Sequence, residues 1–240
     1  MKNYKRVLLK LSGEALADKN NKVILESYSL DHVAASIKMM VEKGMQVAIV
    51  VGAGNIWRGK LAEKIGIERS TADYMGMLGT IINSLALQSA IENAGMDCRV
   101  MSAIEVRSVA EPYIRRKAIR HLEKGRVVVF AGGTGNPYFT TDTCATLRAM
   151  EIQADAILMA KNGVDGVYSA DPRVSKDAKF IKNITFAEML QMNLKVMDPT
   201  AVALLQDHDI EIRVFNMNDA SNIEKLVNGE DVGTTIRKGE

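Results

Sequence analysis

GGTGNPYFTTD, residues 132–142, follows directly on the apolar run Arg126-Val127-Val128-Val129-Phe130-Ala131. A buried strand therefore opens into a glycine-rich turn, and Thr140, Thr141 and Asp142 begin a helical pattern. That layout gathers backbone N–H groups and hydroxyls at a helix N-terminus, where an anion is favoured. The turn alone admits two readings: the cradle of a phosphate-bearing ligand, or a βα loop closed by a threonine cap.

The same alternation continues on both sides. Residues 7–11, 47–51, 99–101, 127–131, 156–160 and 212–215 read as mostly buried strands, and their near-continuous apolar character suits a parallel sheet covered on both faces. Between them lie helices. Leu30, Val33, Ala34, Ile37, Met40 and Val41 fall at helical spacing before Gly44, and a long pattern with Leu78, Ile81, Ile82 and Leu85 runs from Thr71 to Ala94. The apolar residues of that long helix spread over more than one face, so it is expected to be buried on two sides, partly against another subunit. A βαβα order predicts a doubly wound sheet whose ligands sit at the carboxyl ends of the strands. Residues 19–22 and 171–182 read as polar loops, the second as the better candidate for a lid.

Composition narrows the function classes. The 240 residues carry a formal net charge of +2, which implies no strong nucleic-acid field. The basic cluster Arg115-Arg116-Lys117 with Arg120 lies opposite Ile114, Ala118 and Leu122, the pattern of a solvated helix face. Cys98 and Cys144 belong to no Cys/His cluster, and Cys144 reads as a small buried residue on the helix after the glycine turn. Near the N-terminus Lys10 interrupts the apolar run Val7-Leu8-Leu9 too early for a signal peptide, and no stretch has the length of a membrane span. A cytoplasmic chain without a membrane or a clear nucleic-acid site is expected, and the absence of any linker-like stretch makes residues 1–240 one domain.

Three further loops follow strands. In KLSGEAL, Lys10 ends a buried strand just before Ser12 and Gly13; a lysine there either meets an anion or snorkels to a carboxylate or solvent. In VVGAGNIWRGK, Gly52-Ala53-Gly54 begins a dinucleotide fingerprint, but Trp57 stands at its third glycine, which argues against a dinucleotide-dependent oxidoreductase. Gly54 to Gly59-Lys60 has P-loop spacing, but Leu61 replaces the hydroxyl residue that would hold Mg²⁺. What remains is a glycine turn beside Arg58, whose planar fork suits phosphate or a surface carboxylate. In KNGVDGVYSADPR, Asn162, Asp165, Gly166 and Tyr168 form a turn with a flat aromatic, fit for a purine and ribose or simply a well-made turn.

The combination is more specific than its parts. KLSGEAL, GAGNIWRG, GTGNPYFTTD, VDGVYSADP and KVMD (Lys195 to Asp198), in this order, resemble the bacterial uridylate kinases of the amino-acid-kinase family over nearly the whole chain. The resemblance implies a three-layer α/β/α sandwich with a mostly parallel central sheet. It implies transfer of a phosphoryl group from ATP to UMP with Mg²⁺ held mainly by the ATP phosphates, in a homohexamer inhibited by UTP. Its N-terminal part would mainly bind UMP and oligomerise, and its C-terminal part would mainly bind ATP. Lys10, Leu11, Ser12, Gly13, Gly54, Arg58, Asn162, Tyr168 and Asp171 would contact ATP. Ala53, Asp73, Thr134, Gly135, Asn136, Pro137, Tyr138, Phe139, Thr140 and Thr141 would contact UMP, while Lys10, Arg58, Asp142 and Asp198 would act in the transfer. Position 53 is alanine where relatives commonly carry glycine. Residues 18–23 also depart from the common pattern, which leaves activation by GTP open, and Lys161 is given no role.

The acceptor chemistry fits the residue types. A phosphate monoester has its second ionisation near pH ~6, so it is largely dianionic at neutral pH and needs no general base. His32, His121 and His208 lie outside the candidate loops and read as helix-face residues. Cations and oriented amides must instead offset the repulsion between two phosphates. A kinase of the same family acting on a carboxylate or carbamate, and a non-catalytic nucleotide sensor, are the competing readings.

Overall fold

Apolar runs bounded by glycine and polar turns do form strands, and they join in one sheet. The computed structural model describes residues 4–239 apart from 19, 20, 162, 173, 176 and 195, so the expected ATP ligand Asn162 and the lysine of KVMD lie outside the described residues. From the N-terminus come β1 (Arg6–Leu11), a 3-10 turn (Gly13–Leu16), α1 (Ser27–Glu42), β2 (Gln46–Val51), α2 (Gly59–Lys64) and α3 (Arg69–Asn93). Then follow β3 (Cys98–Ser102), β4 (Glu111–Pro112), α4 (Arg115–Glu123), β5 (Val127–Ala131), α5 (Thr141–Glu151) and β6 (Ala156–Lys161). The chain continues through β7 (Val167–Tyr168), β8 (Phe180–Ile181), β9 (Asn183–Thr185), α6 (Phe186–Gln191) and α7 (Pro199–Leu205). It closes with β10 (Glu211–Asn216), α8 (Ala220–Val227) and β11 (Thr234–Arg237).

The nine-stranded sheet has the order β4-β3-β5-β2-β1-β6-β10-β11-β9. Pairing is parallel from β4 to β10, β11 runs antiparallel to β10, and β9 is parallel to β11. Side chains alternate across each strand, so β1 feeds both cores. Val7, Leu9 and Leu11 pack with α1, α3 and α8 through Ile37, Leu87 and Ile223. Leu8 faces the other layer with Ala118 of α4, Ala145 of α5 and Val202 of α7. Each fully buried leucine of this kind contributes about 1.5–3 kcal/mol. This is the three-layer α/β/α sandwich with a mostly parallel sheet.

Some elements differ from the sequence expectation. The edge strands β4 and β9 and the antiparallel β11 are too short or too polar to show an apolar run. Residues 171–182 are not wholly loop, because Phe180 and Ile181 pair antiparallel with β7. His208 sits in the turn after α7, off a helix. The long helix α3 buries Met77, Ile81 and Leu87, yet Tyr74, Leu78 and Ile82 on another face are 44%, 49% and 48% exposed. At i, i+4 and i+8 these three make one continuous apolar stripe.

Candidate active site

Four parallel strands that are neighbours in the sheet, β5, β2, β1 and β6, deliver their following loops to one rim. Lys10 stands level with Val50 of β2 and Met159 of β6 in the strand register. Its ammonium does not snorkel to solvent: Nζ lies 2.6 Å from Oδ1 of Asp142, with the two side chains 14% and 18% exposed. Asp142 holds that place because Thr140 caps α5, its hydroxyl accepting from the Asp142 and Thr143 amides at 3.1 and 3.3 Å. Cys144, one turn further, is fully buried, and burial pushes its thiol up to about 11, so it is inert packing.

Thr140 and Thr141, which precede Asp142, belong to the wall of a cavity of about 510 Å³. Ala53, Gly54, Asp73, Thr134, Phe139, Thr140 and Thr141 line it, with Trp57, Arg69 and Thr80, which the sequence reading did not select. Gly135, Asn136, Pro137 and Tyr138 do not line it but shape the loop around it. Gly132 and Gly133 have φ of +74° and +59°, a left-handed pair that a side chain would strain, and Gly132 N–H donates to the buried Thr80 hydroxyl at 2.9 Å. Asp73 anchors the far end of the turn, accepting from Tyr138 N–H at 2.8 Å and from Arg69 Nε at 2.9 Å. The Arg69 guanidinium in turn lies 5.6 Å from the centre of the Tyr138 ring.

The loops after β1 and β2 are locked together by buried polar groups. Asn83 of α3 is fully buried and donates to Gly52 C=O at 2.7 Å and to Asn55 Oδ1 at 2.8 Å. A Cβ on Gly13 would stand 2.5 Å from Gly52 O, so this glycine serves the approach of one loop to the other. Leu11 is wholly buried and offers the rim only its backbone, where its carbonyl accepts from Gly52 N–H at 3.0 Å. Ser12 caps the 3-10 turn at 3.4 Å through Glu14 N–H. Arg58 is 61% exposed and pairs with Glu14, while its Nε donates to Gly54 C=O at 3.2 Å. Trp57, at the position that breaks the dinucleotide fingerprint, donates from Nε1 to Ala72 C=O at 2.9 Å and so fixes α3 beside the cavity.

A second cavity of about 450 Å³ is lined by Lys161, Tyr168, Asp171, Leu194 and Val196 among others. The Tyr168 ring stacks edge-on against Phe180 at 5.4 Å. Lys161 donates to Val196 C=O at 2.9 Å. Burial, and then the positive charge of Lys10, hold its ammonium below the ordinary lysine range, with Asp142 opposing. Asp198 does not reach Lys10. It accepts from the hydroxyls of Thr140 and, at 3.1 Å, Thr143, and from Ala201 N–H at 3.0 Å as the N-cap of α7. It thereby ties the start of α5 to the start of α7. Sequence signals for the unselected residues were weak: Thr80, Asn83 and Ser84 are polar residues on the buried face of α3, and Glu14 and Arg69 look like ordinary surface charges.

A model of the amino acid kinase family matches residues 5–216. The chain is 58% identical over 233 residues to a uridylate kinase from Limosilactobacillus reuteri, covering 97% of each. Its structure is similar to that of a UMP kinase from Bacillus anthracis, with a TM-score of 0.96 and 44% identity over 100% of this chain and 98% of the other. A UMP kinase from Ureaplasma parvum aligns with a TM-score of 0.92 and 38% identity, over 99% of this chain and 100% of that one. Loops gathered on one parallel rim, a shielded lysine–aspartate pair next to a cavity wall and these relatives agree: the chain belongs to the amino acid kinase family.

Proposed function

We propose that this chain transfers the γ-phosphoryl group of ATP to UMP. An oxygen of the UMP phosphate attacks the γ-phosphorus, the bond from that phosphorus to the bridging β–γ oxygen breaks, and ADP leaves with the electron pair. UDP is the second product and no proton has to move. One observation carries the reading: the shielded Lys10–Asp142 pair directly follows Thr141 of the first cavity's wall and acts electrostatically on Lys161 of the second cavity's wall, in a chain 58% identical to a uridylate kinase.

UMP is assigned to the first cavity, with Asp73 at the uridine end and the residue 133–141 turn around the rest. ATP is assigned to the second, with Tyr168 and Asp171 at adenosine and the Lys10 loop at its phosphates. Residues 53–141 thus serve mainly the acceptor and residues 161–214 mainly the donor. Lys10 neutralises the group in flight, and Asp142 keeps its ammonium aimed. Arg58 would leave Glu14 to meet a phosphate, a short swing for a mostly exposed side chain. Asp198 acts through Thr140 and Thr143, holding α5 in place.

Kinase chemistry with ATP requires a divalent metal, and Mg²⁺ is the expected ion. Asp142 and Asp198, at the start of α5 and of α7, are committed to Lys10 and to hydroxyls and an amide, so the ion fits as part of the ATP phosphate complex. It would there supply charge neutralisation. A homohexamer is proposed from the exposed stripe on α3, with UTP competing for the first cavity. No GTP response is assigned, since residues 18–23 depart from the family pattern; there Asp18 and Val23 bond through their backbones in both directions at 3.0 Å. Among the described residues no helix is long and apolar enough to cross a membrane, and the cytoplasm is the proposed location.

An acceptor panel tests the reading. ADP release is followed with ATP, Mg²⁺ and UMP, CMP, acetylglutamate, aspartate or carbamate. UMP should be strongly preferred, because a polar pocket rejects a partner that leaves its groups unpaired. Equal rates on UMP and CMP would contradict the pocket assignment, and turnover of a carboxylate would replace the substrate.

A further inference from the structure

Lys161 ends β6, the strand next to β1, two residues beyond Met159, the partner of Lys10. Alternation puts Lys10, Met159 and Lys161 on the same face of the sheet, the face that packs against α5 and carries Asp142. Two ammonium groups therefore share one end of one face. Asp142 pairs with Lys10, whereas Lys161 bonds to the Val196 carbonyl and no described carboxylate stands within ion-pair distance of it. A half-buried ammonium with only a carbonyl for a partner, beside a second ammonium, lacks a bonded anion of its own. The triphosphate of a donor nucleotide supplies it. Lys161 lines the second cavity with Tyr168 and Asp171 and takes no part in the wall of the first.

We infer that Lys161 is a second catalytic ammonium, contacting the terminal phosphates of ATP across from Lys10. The inference rests on the assignment of the second cavity to ATP. It gives the transfer a two-sided clamp: Lys10 reaches the γ-phosphoryl group from β1, and Lys161 reaches it from β6. Its bond to Val196 holds the stem in place, so little reorganisation is needed when the phosphates arrive.

The test compares wild type, Lys161→Met and Lys161→Arg in calorimetric binding of adenosine and of the non-hydrolysable donor AMPPNP, with turnover on UMP measured alongside. Lys161→Met should weaken AMPPNP by about tenfold or more, the size of a charge-assisted hydrogen bond, and leave adenosine within twofold. Turnover should fall on the order of 10²-fold. Lys161→Arg keeps the charge and should retain a preference for AMPPNP over adenosine well above that of Lys161→Met. Equal losses for adenosine and AMPPNP would make Lys161 a packing residue and overturn the inference, as would unchanged AMPPNP binding. Should Lys161→Met fail to fold, a Lys161→Arg variant with no preference for AMPPNP overturns it equally. Binding of AMPPNP does not involve the acceptor. Failure of UMP as substrate with the Lys161 pattern intact would therefore sink only the proposed acceptor.

Discussion

At the scale of single residues, the chemistry rests on charges placed where water is scarce. Lys10→Met removes the ammonium that Asp142 aims, and turnover should fall on the order of 10²-fold or more with the fold preserved. A drop of less than tenfold in a protein with unchanged circular dichroism would take Lys10 out of the mechanism. This lysine was legible in the sequence because a charge at the end of an apolar run is anomalous and calls for a partner. Its partner was legible only through the motif, since Asp142 lies 132 positions away and no local pattern joins the two. Glu14, Arg69 and Asn83 were not legible at all. Glu14 and Asn83 bond to loops distant in sequence, Arg69 pairs with Asp73 one turn on and reaches the distant Tyr138 through its ring, and each is of a type commonly found on surfaces. Asp198 shows the reverse case: the motif marked it, but its bonds to Thr140, Thr143 and the start of α7 are those of a brace.

At the scale of elements, the rim is a packing problem that small residues solve. A Cβ on Gly79 of α3 would stand 2.9 Å from the Cβ of Ala53 on the loop after β2. Position 53 is therefore free to carry alanine because position 79 does not. Gly79→Ala should destabilise the protein by about 1–3 kcal/mol, the range for overpacking, read as a lower midpoint in urea. Adding Ala53→Gly should restore most of that loss. Additive losses in the double variant would show that the two sites do not share the space. The long helices and the central strands were legible from periodicity, since α1 and α3 begin and end within three residues of the expected bounds, whereas the short α2, α6, α7 and α8 were not marked. The edge strands β4 and β9, two and three residues long, carry no periodic signal, because so few residues cannot establish an alternation.

At the scale of the molecule, one sheet carries two cavities beside its loops and, among the described residues, an exposed apolar stripe on α3. Tyr74, Leu78 and Ile82 leave apolar surface in water that a second copy of the chain could cover. Wild type should sediment as the proposed hexamer, and Leu78→Asp should shift it to smaller species without unfolding the chain. An unchanged sedimentation coefficient would place the interface elsewhere. The two cavities have a consequence for chemists as well. The wall of one ends at Thr141, next to Asp142, and the wall of the other includes Lys161, whose ammonium feels the charge of Lys10. A synthetic bisubstrate compound, uridine and adenosine joined by a short polyphosphate tether, would enter both halves at once. It would surrender translational freedom a single time and so bind far more tightly than either nucleotide alone.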